Sequence, residues 1–276
     1  VCIAQSVGAG DRDKSSLYVG NTTSVFIVVA LVMMAILLLL VRWIVGAVST
    51  PAEAFEGTVE YLKICFLGIP FITAYNIIAA VFRGIGDSKS PMYFIAVACV
   101  LNVALDYLFI GAFTMGAAGA ALATVISQSV SVVVAVIYIS LIGRRESGSS
   151  IFSGGIVNFI PQKDVVRRIC GIGIPVALQD GFIQIAFLFV TAIANQRGLV
   201  DAAAVGIVEK IICLVFLVPS SMLSTVSAVA AQNIGAERWD RAKSTRRYAL
   251  IIVLGYGLVL GLSFQFCSEQ VVGLFM

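Results

Sequence analysis

Four ionisable residues, Asp106, Asp180, Glu209 and Lys210, lie inside long apolar stretches of the chain. A charge at the centre of a membrane span costs about 2.5–3.5 kcal/mol on insertion scales, so each needs a partner, an ion or water. Asp106 has the fullest surroundings. Asn102 precedes it by one helical turn on the same face. Thr124 mirrors Asp106 about a turn centred near residue 115, which predicts the two at one depth on antiparallel neighbours, with Asn102 a turn deeper. A carboxylate, an amide oxygen and a hydroxyl suit a sodium ion or a titrating proton. The same trio would also serve as hydrogen-bonding glue between two helices.

The other three are less defined. Asp180 follows Pro175 by five residues, with Gln179 and Gln184 nearby. They read either as a substrate contact or as polar groups satisfying backbone freed by the proline. Glu209 and Lys210 are adjacent, point about 100° apart on a helix and cannot simply pair with each other. Lys210 is expected to meet a carboxylate on a neighbouring helix; a substrate or coupling role for this pair is the second reading.

Composition narrows the chemistry. Of 276 residues, 60% are hydrophobic and 12% charged, and histidine is absent; the mean hydropathy is +1.03. A soluble domain carries about twice that charge fraction, so an ordinary soluble enzyme, a disordered chain and a basic nucleic-acid binder are excluded. So is any mechanism that uses a histidine. The six cysteines are scattered singly, which argues against a metal or disulfide framework. Gly84-Ile85-Gly86-Asp87 contains the GxGD string of intramembrane aspartyl proteases, but Arg83, Lys89 and Pro91 flank it and mark a loop. No Walker A sequence is present, so direct ATP drive by this stretch of chain is excluded. The expectation is a non-enzyme with no cofactor and no nucleic-acid or obligatory protein partner.

The elements that must position these residues are membrane helices. Seven apolar runs reach the roughly 20 residues a span requires: 22–48, 60–82, 92–113, 117–142, 168–195, 202–231 and 247–275. If they alternate in direction, loops 1–21, 83–91, 143–167 and 232–246, with adjacent helix ends, carry fourteen of the 18 basic residues. That side is expected to be cytoplasmic. An internal echo relates Ala4-Gln5-Ser6-Val7-Gly8-Ala9 to Ala231-Gln232-Asn233-Ile234-Gly235-Ala236, at an offset that also aligns Asp13 with Asp240. Six spans separate the copies, so the repeat is parallel. A weaker echo pairs Gly68-Ile69-Pro70 with Gly173-Ile174-Pro175 and reads as a recurrent kink signal. The chain begins without methionine and stops at the end of an apolar run, and so reads as part of a longer one. The predicted fold class is an all-α integral membrane bundle, a truncated two-lobe parallel six-helix repeat with seven full spans. Its predicted parts are an amino lobe 1–145, a cytoplasmic linker 146–167 and an incomplete carboxy lobe 168–276.

Several segments together resemble the multidrug and toxic compound extrusion (MATE) family. They are Tyr75-Asn76 and Phe82-Arg83-Gly84-Ile85-Gly86-Asp87-Ser88, Asn102 to Asp106, Gly116 to Thr124 with Ser127-Gln128, and Gln232 to Ala236 with Asp240-Arg241. The resemblance implies twelve helices in two lobes, of which this chain would carry the end of helix two through helix nine. It implies a plasma-membrane antiporter exporting small amphipathic or cationic drugs in exchange for Na+ or H+. Asn102, Asp106 and Thr124 match that family's amino-lobe cation site in type and spacing. The family's carboxy-lobe glutamate on helix seven is not matched, since Ile183-Gln184 stands there. Two other readings remain at this point: a lipid-linked oligosaccharide flippase of the same superfamily, which the shortage of arginine within the spans disfavours, and a seven-helix receptor.

Overall fold

The protein is described by a computed structural model over residues 1–47, 52–145 and 156–273, almost entirely helical in those residues. The helices are α1 (Cys2–Gly8), α2 (Arg12–Ala47), α3 (Ala52–Leu67), α4 (Ile69–Ile85), α5 (Lys89–Asp106), α6 (Gly116–Arg145), α7 (Lys163–Arg197), α8 (Leu199–Gly235) and α9 (Trp239–Gly273). A π turn over Tyr107–Ala112 extends α5, and a 3-10 turn over Ile156–Phe159 precedes α7. Six helices are long and apolar enough to cross a membrane, and α3 with α4 would make a seventh, bent by 41°. Long aliphatic side chains stand outward, Leu39 at 84% and Leu254 at 70% exposed, as in a bundle whose solvent is lipid.

Helices extend beyond the apolar runs. The predicted loop 1–21 is α1 plus the first turns of α2, and α9 starts at Trp239 inside the predicted loop 232–246. Polar turns of helix outside the hydrocarbon keep their backbone bonded as well as a loop would, so hydropathy marks the lipid-immersed length and not the helix length. The predicted run 60–82 is likewise not one rod. It breaks at Gly68, where an added Cβ would lie 2.6 Å from Val125 Cγ2 on α6, and Pro70 sits in the first turn of α4, where its missing N–H costs nothing. The second Gly-Ile-Pro behaves differently: α7 runs continuously through Pro175.

The described chain falls into two compact units, Cys2–Val166 and the residues from Arg167 onward. In the first, α5 and α3 pack on α6, and α2 on α3 and α4. Phe82, Phe94 and Tyr138 form its aromatic centre, with edge-on ring centroids 5.8 and 5.5 Å apart for Phe82–Phe94 and Phe94–Tyr138. The GxGD segment joins these helices as a turn. Gly86 ends α4 at φ 93°, and Asp87 Oδ1 accepts the N–H groups of Lys89 (2.9 Å) and Ser90 (3.1 Å) at the start of α5. In the second unit α8 packs on α9, and Tyr256 donates to the Val215 carbonyl at 3.2 Å.

Of the predicted linker 146–167, residues 146–155 lie outside the described residues. Residues 156–166 belong to the first unit and are fastened to α2, and Arg167 opens the second. Asn21, fully buried, donates to the Asn158 carbonyl at 3.0 Å and accepts the Gln162 N–H at 2.7 Å. Asn158 donates to Ser16 Oγ at 2.8 Å, and Ser24 to the Phe159 carbonyl at 2.6 Å. The Asn158 carbonyl oxygen lies 2.2 Å from where a Cβ of Gly20 would be, so only glycine permits this approach.

The sequence echo is also a structural one. At an offset of 227 residues, α1 ends at Gly8 and α8 at Gly235, and α2 starts at Arg12 and α9 at Trp239.

Candidate functional site

Asp106 is the last α-helical residue of α5, immediately before the π turn. Its Oδ1 is enclosed and has no hydrogen-bond partner among the described residues. One turn earlier, Asn102 donates from Nδ2 to Thr124 Oγ1 across the α5–α6 contact at 3.4 Å, and Thr124 in turn donates to the Ala120 carbonyl at 3.0 Å. All three predicted residues therefore lie on the α5–α6 hairpin, but the register differs from the one expected. It is Asn102, not Asp106, that reaches Thr124.

The π turn explains the shift. Its wider i→i+5 bonding, seen at Phe113 N–H to the Leu108 carbonyl (3.0 Å), takes more residues per turn than an α-helix. More of the α5 arm is consumed before the bend, and residues nearer its start come level with Thr124. The bend itself is strained: Thr114 has φ 51° and Gly116 φ 57°, and a β-branched residue in the left-handed region is unusual. Gly119 lets α6 lie against the π turn, since a Cβ there would sit 2.9 Å from Met115 Cβ and 3.1 Å from Phe109 Cβ. Nothing in the apolar periodicity of 92–113 distinguishes a π turn from continued α-helix.

A carboxylate, an amide oxygen and a hydroxyl are the donor types a hard cation takes. The enclosed carboxylate oxygen lacks the partner that burial requires, and an amide and a hydroxyl one turn away offer further oxygens of the kind sodium accepts. A proton on Asp106 would meet the same need by making the group neutral.

The second unit brings less together. Thr191 on α7 donates to Glu209 Oε1 on α8 at 2.8 Å, a partner the sequence reading did not name. Lys210 is exposed and has no carboxylate partner among the described residues, contrary to expectation. Asp180 and Gln184 are exposed on α7, and no hydrogen bond or ion pair joins them to Glu209 among the described residues.

The MatE family model matches residues 1–108 and 175–276. The chain belongs to this family. Over its whole length it is 27% identical to the probable multidrug resistance protein YoeA of Bacillus subtilis (strain 168), covering 60% of that protein. Over 68% of its length it is 34% identical to the probable multidrug resistance protein YpnP of the same organism, covering 40% of it. The multidrug export protein MepA of Staphylococcus aureus (strain NCTC 8325 / PS 47) is 26% identical over 99% of this chain and 59% of its own. Among solved structures, a MOP superfamily transporter from Pyrococcus furiosus matches 99% of this chain and 60% of its own, with a TM-score of 0.87 at 22% identity. MATE in complex with MaD3S matches 100% of this chain and 61% of its own, with a TM-score of 0.85 at 21% identity. The fold is therefore the MATE fold, in an integral protein of the plasma membrane. The chain spans about 60% of the length of YoeA and MepA.

Proposed function

We propose that this chain is part of a secondary antiporter of the MatE family that exports small amphipathic or cationic drugs in exchange for Na+ or H+. The observation that carries the reading is the enclosed, unpartnered Asp106 Oδ1 beside the Asn102–Thr124 pair. A carboxylate that takes up an ion or proton in one state of the cycle and releases it in another biases the protein between those states, because only differential affinity shifts a conformational equilibrium. Asp106 is the coupling group; Asn102 and Thr124 supply the neighbouring oxygens. Glu209, held by Thr191, with Asp180, Gln184 and Lys210, forms a subsidiary set that contacts substrate or a second ion. No enzymatic step is needed: the drug leaves unchanged. The membrane lipids and the transported drug are its partners, and the loops rich in Lys and Arg face the cytoplasm.

The test is Asp106→Asn in the complete protein. Ion-driven efflux of ethidium or norfloxacin is expected to be lost while membrane insertion and expression persist. Full efflux by that variant, in both sodium and proton gradients, would remove Asp106 from the mechanism.

A further inference from the structure

The connector between the two units is held by one of them. Asn21 is fully buried in α2, and both ends of its amide are used: Nδ2 donates to the carbonyls of Leu17 (3.1 Å) and Asn158 (3.0 Å), and Oδ1 accepts the N–H of Gln162 at 2.7 Å. Gln162 is also where α7 begins, because its carbonyl takes the first helical bond, from Val166 N–H at 2.9 Å. The start of α7 is therefore bolted to α2. Yet the boundary between the compact units falls after Val166, one turn into α7. A single helix, Lys163–Arg197, has its first turn in one unit and its body in the other.

That arrangement has a mechanical consequence. Slack in the connector cannot absorb motion between the units if the connector's last residues are fixed to α2. Opening the bolt would strand the buried Asn21 amide and break the backbone hydrogen bonds it makes, a cost that burial of the amide imposes. The compliant stretch is then α7 itself. Gly171, Gly173 and Pro175 lie just past the boundary. Pro175 has no N–H to give the Gly171 carbonyl, so one rung of the helix is absent there. Among the described residues a Cβ added at Gly171 or Gly173 meets nothing within 4 Å. Gly68, by contrast, is fixed by its approach to Val125.

We propose that Asn21 makes the connector a permanent part of the amino-terminal unit, and that the swing between units is absorbed within α7, between Val166 and Pro175. The inference requires that the two units move relative to each other, which the antiport reading supplies, but not the identity of ion or drug.

The experiment measures distances by double electron–electron resonance in the complete protein, with native cysteines replaced. One label pair, Val28→Cys and Phe159→Cys, spans α2 and the connector; the other, Val28→Cys and Phe182→Cys, spans α2 and the body of α7. The conditions are high and low pH, with and without sodium, with and without ethidium. The first distance is expected to stay single and constant while the second is broad or shifts. In Gly171→Ala/Gly173→Ala/Pro175→Ala, which fills open space and restores the missing rung, the second distribution should narrow and ethidium efflux should fall severalfold. A first distance that changes with the second, a second distance constant in every condition, or a triple variant that behaves as wild type would each overturn the proposal. An Asp106→Asn variant that retains efflux defeats the coupling-site reading and leaves the expected distances unaltered, so the two failures are distinguishable.

Discussion

Residues 5–14 and 232–241 trace the same turn from different side chains. Ala9, Gly10 and Asp11 donate their N–H groups to the carbonyls of Gln5, Val7 and Ser6, each at 3.0 Å. At the 227-residue offset, Ala236, Glu237 and Arg238 donate to Gln232, Ile234 and Asn233 at 3.0, 3.0 and 2.8 Å. One residue of each turn is left-handed: Gly10 at φ 71° and Glu237 at φ 58°. Beyond the turn the copies part. Ser16, Gly20 and Asn21 on α2 receive the connector, whereas Lys243, Arg247 and Tyr248 hold those places on α9, and Tyr248 is 65% exposed where Asn21 is fully buried. A turn's path needs only its local backbone bonds and one left-handed residue. What the following helix can bind depends on a glycine and an amide at two positions.

The largest effects should come from asking the α2 face to behave like the α9 face. Asn21→Leu removes the partner of the Gln162 N–H and of the Asn158 carbonyl, two part-buried hydrogen bonds, at about 0.5–1.5 kcal/mol for each bond lost. Gly20→Val forces a side chain onto the Asn158 carbonyl, an overpacking of about 1–3 kcal/mol. Tyr248→Leu and Arg247→Val, at the matching places, should stay within about 0.5 kcal/mol. Melting temperatures of the four variants in one detergent check this. Equal losses in the two halves would mean that the connector contributes nothing to the difference between them.

Those residues also mark the limit of what the sequence discloses. The repeat is legible because a turn is local: the same backbone bonds favour the same short string, and Ala-Gln-x-x-Gly-Ala survives in both copies. Membrane spans are legible because lipid imposes composition over about 20 residues at a time. The trio Asn102, Asp106 and Thr124 is legible as a set for both reasons, being polar residues in apolar helices joined by a short turn. Its register is not, since the π turn after Asp106 depends on how Gly119 and Phe109 pack and leaves no periodic trace. The Asn21 clasp is hidden for another reason. Its partners Asn158 and Gln162 are about 140 residues away, and one polar residue near the end of a span looks like any other. Glu209 shows the same blindness at shorter range: a carboxylate inside a span announces that it needs a partner, without naming Thr191.

The left-handed position sharpens the comparison with a smaller effect of opposite sign in the two copies. A side chain with a Cβ costs about 1–2 kcal/mol in that conformation, and glycine does not. Gly10→Ala should therefore destabilise the α1–α2 turn, by up to about 1 kcal/mol once the loss of glycine's freedom in the unfolded chain is set against the strain. Glu237→Gly removes the same strain from the α8–α9 turn. Glycine's greater freedom in the unfolded chain returns about 0.5–1 kcal/mol of it, so a net stabilisation of up to about 1 kcal/mol is expected. Thermal melts check both. A loss in each copy would show that Glu237 is held by contacts and not merely tolerated.

The smallest expected effect concerns charge. Asp11 accepts the N–H of Lys14 at 3.0 Å and pairs with its ammonium at 2.8 Å. The hydrogen bond to the Lys14 side chain, then the one from its backbone, hold the Asp11 carboxyl below its ordinary value, against a smaller desolvation effect. The matching residues are Arg238 and Arg241, which cannot form such a pair. A carboxyl whose folded pKa lies below its unfolded one contributes order that is fully present above the ordinary aspartate pKa of 3.8 and is lost as pH falls through the lower folded value. The α1–α2 turn should therefore loosen in acid, and the α8–α9 turn should not. Because Asp11 lies at the surface, its side chain 33% exposed, the effect is local, and salt should screen part of it. Amide exchange at Lys14 and Arg241, corrected for the intrinsic pH dependence, reads it directly. Protection at Lys14 falls on acidification, that at Arg241 stays constant, and Arg238→Asp moves the acid-sensitive behaviour into the second copy. If Arg238→Asp leaves Arg241 indifferent to pH, the two turns differ in more than the sign of one side chain.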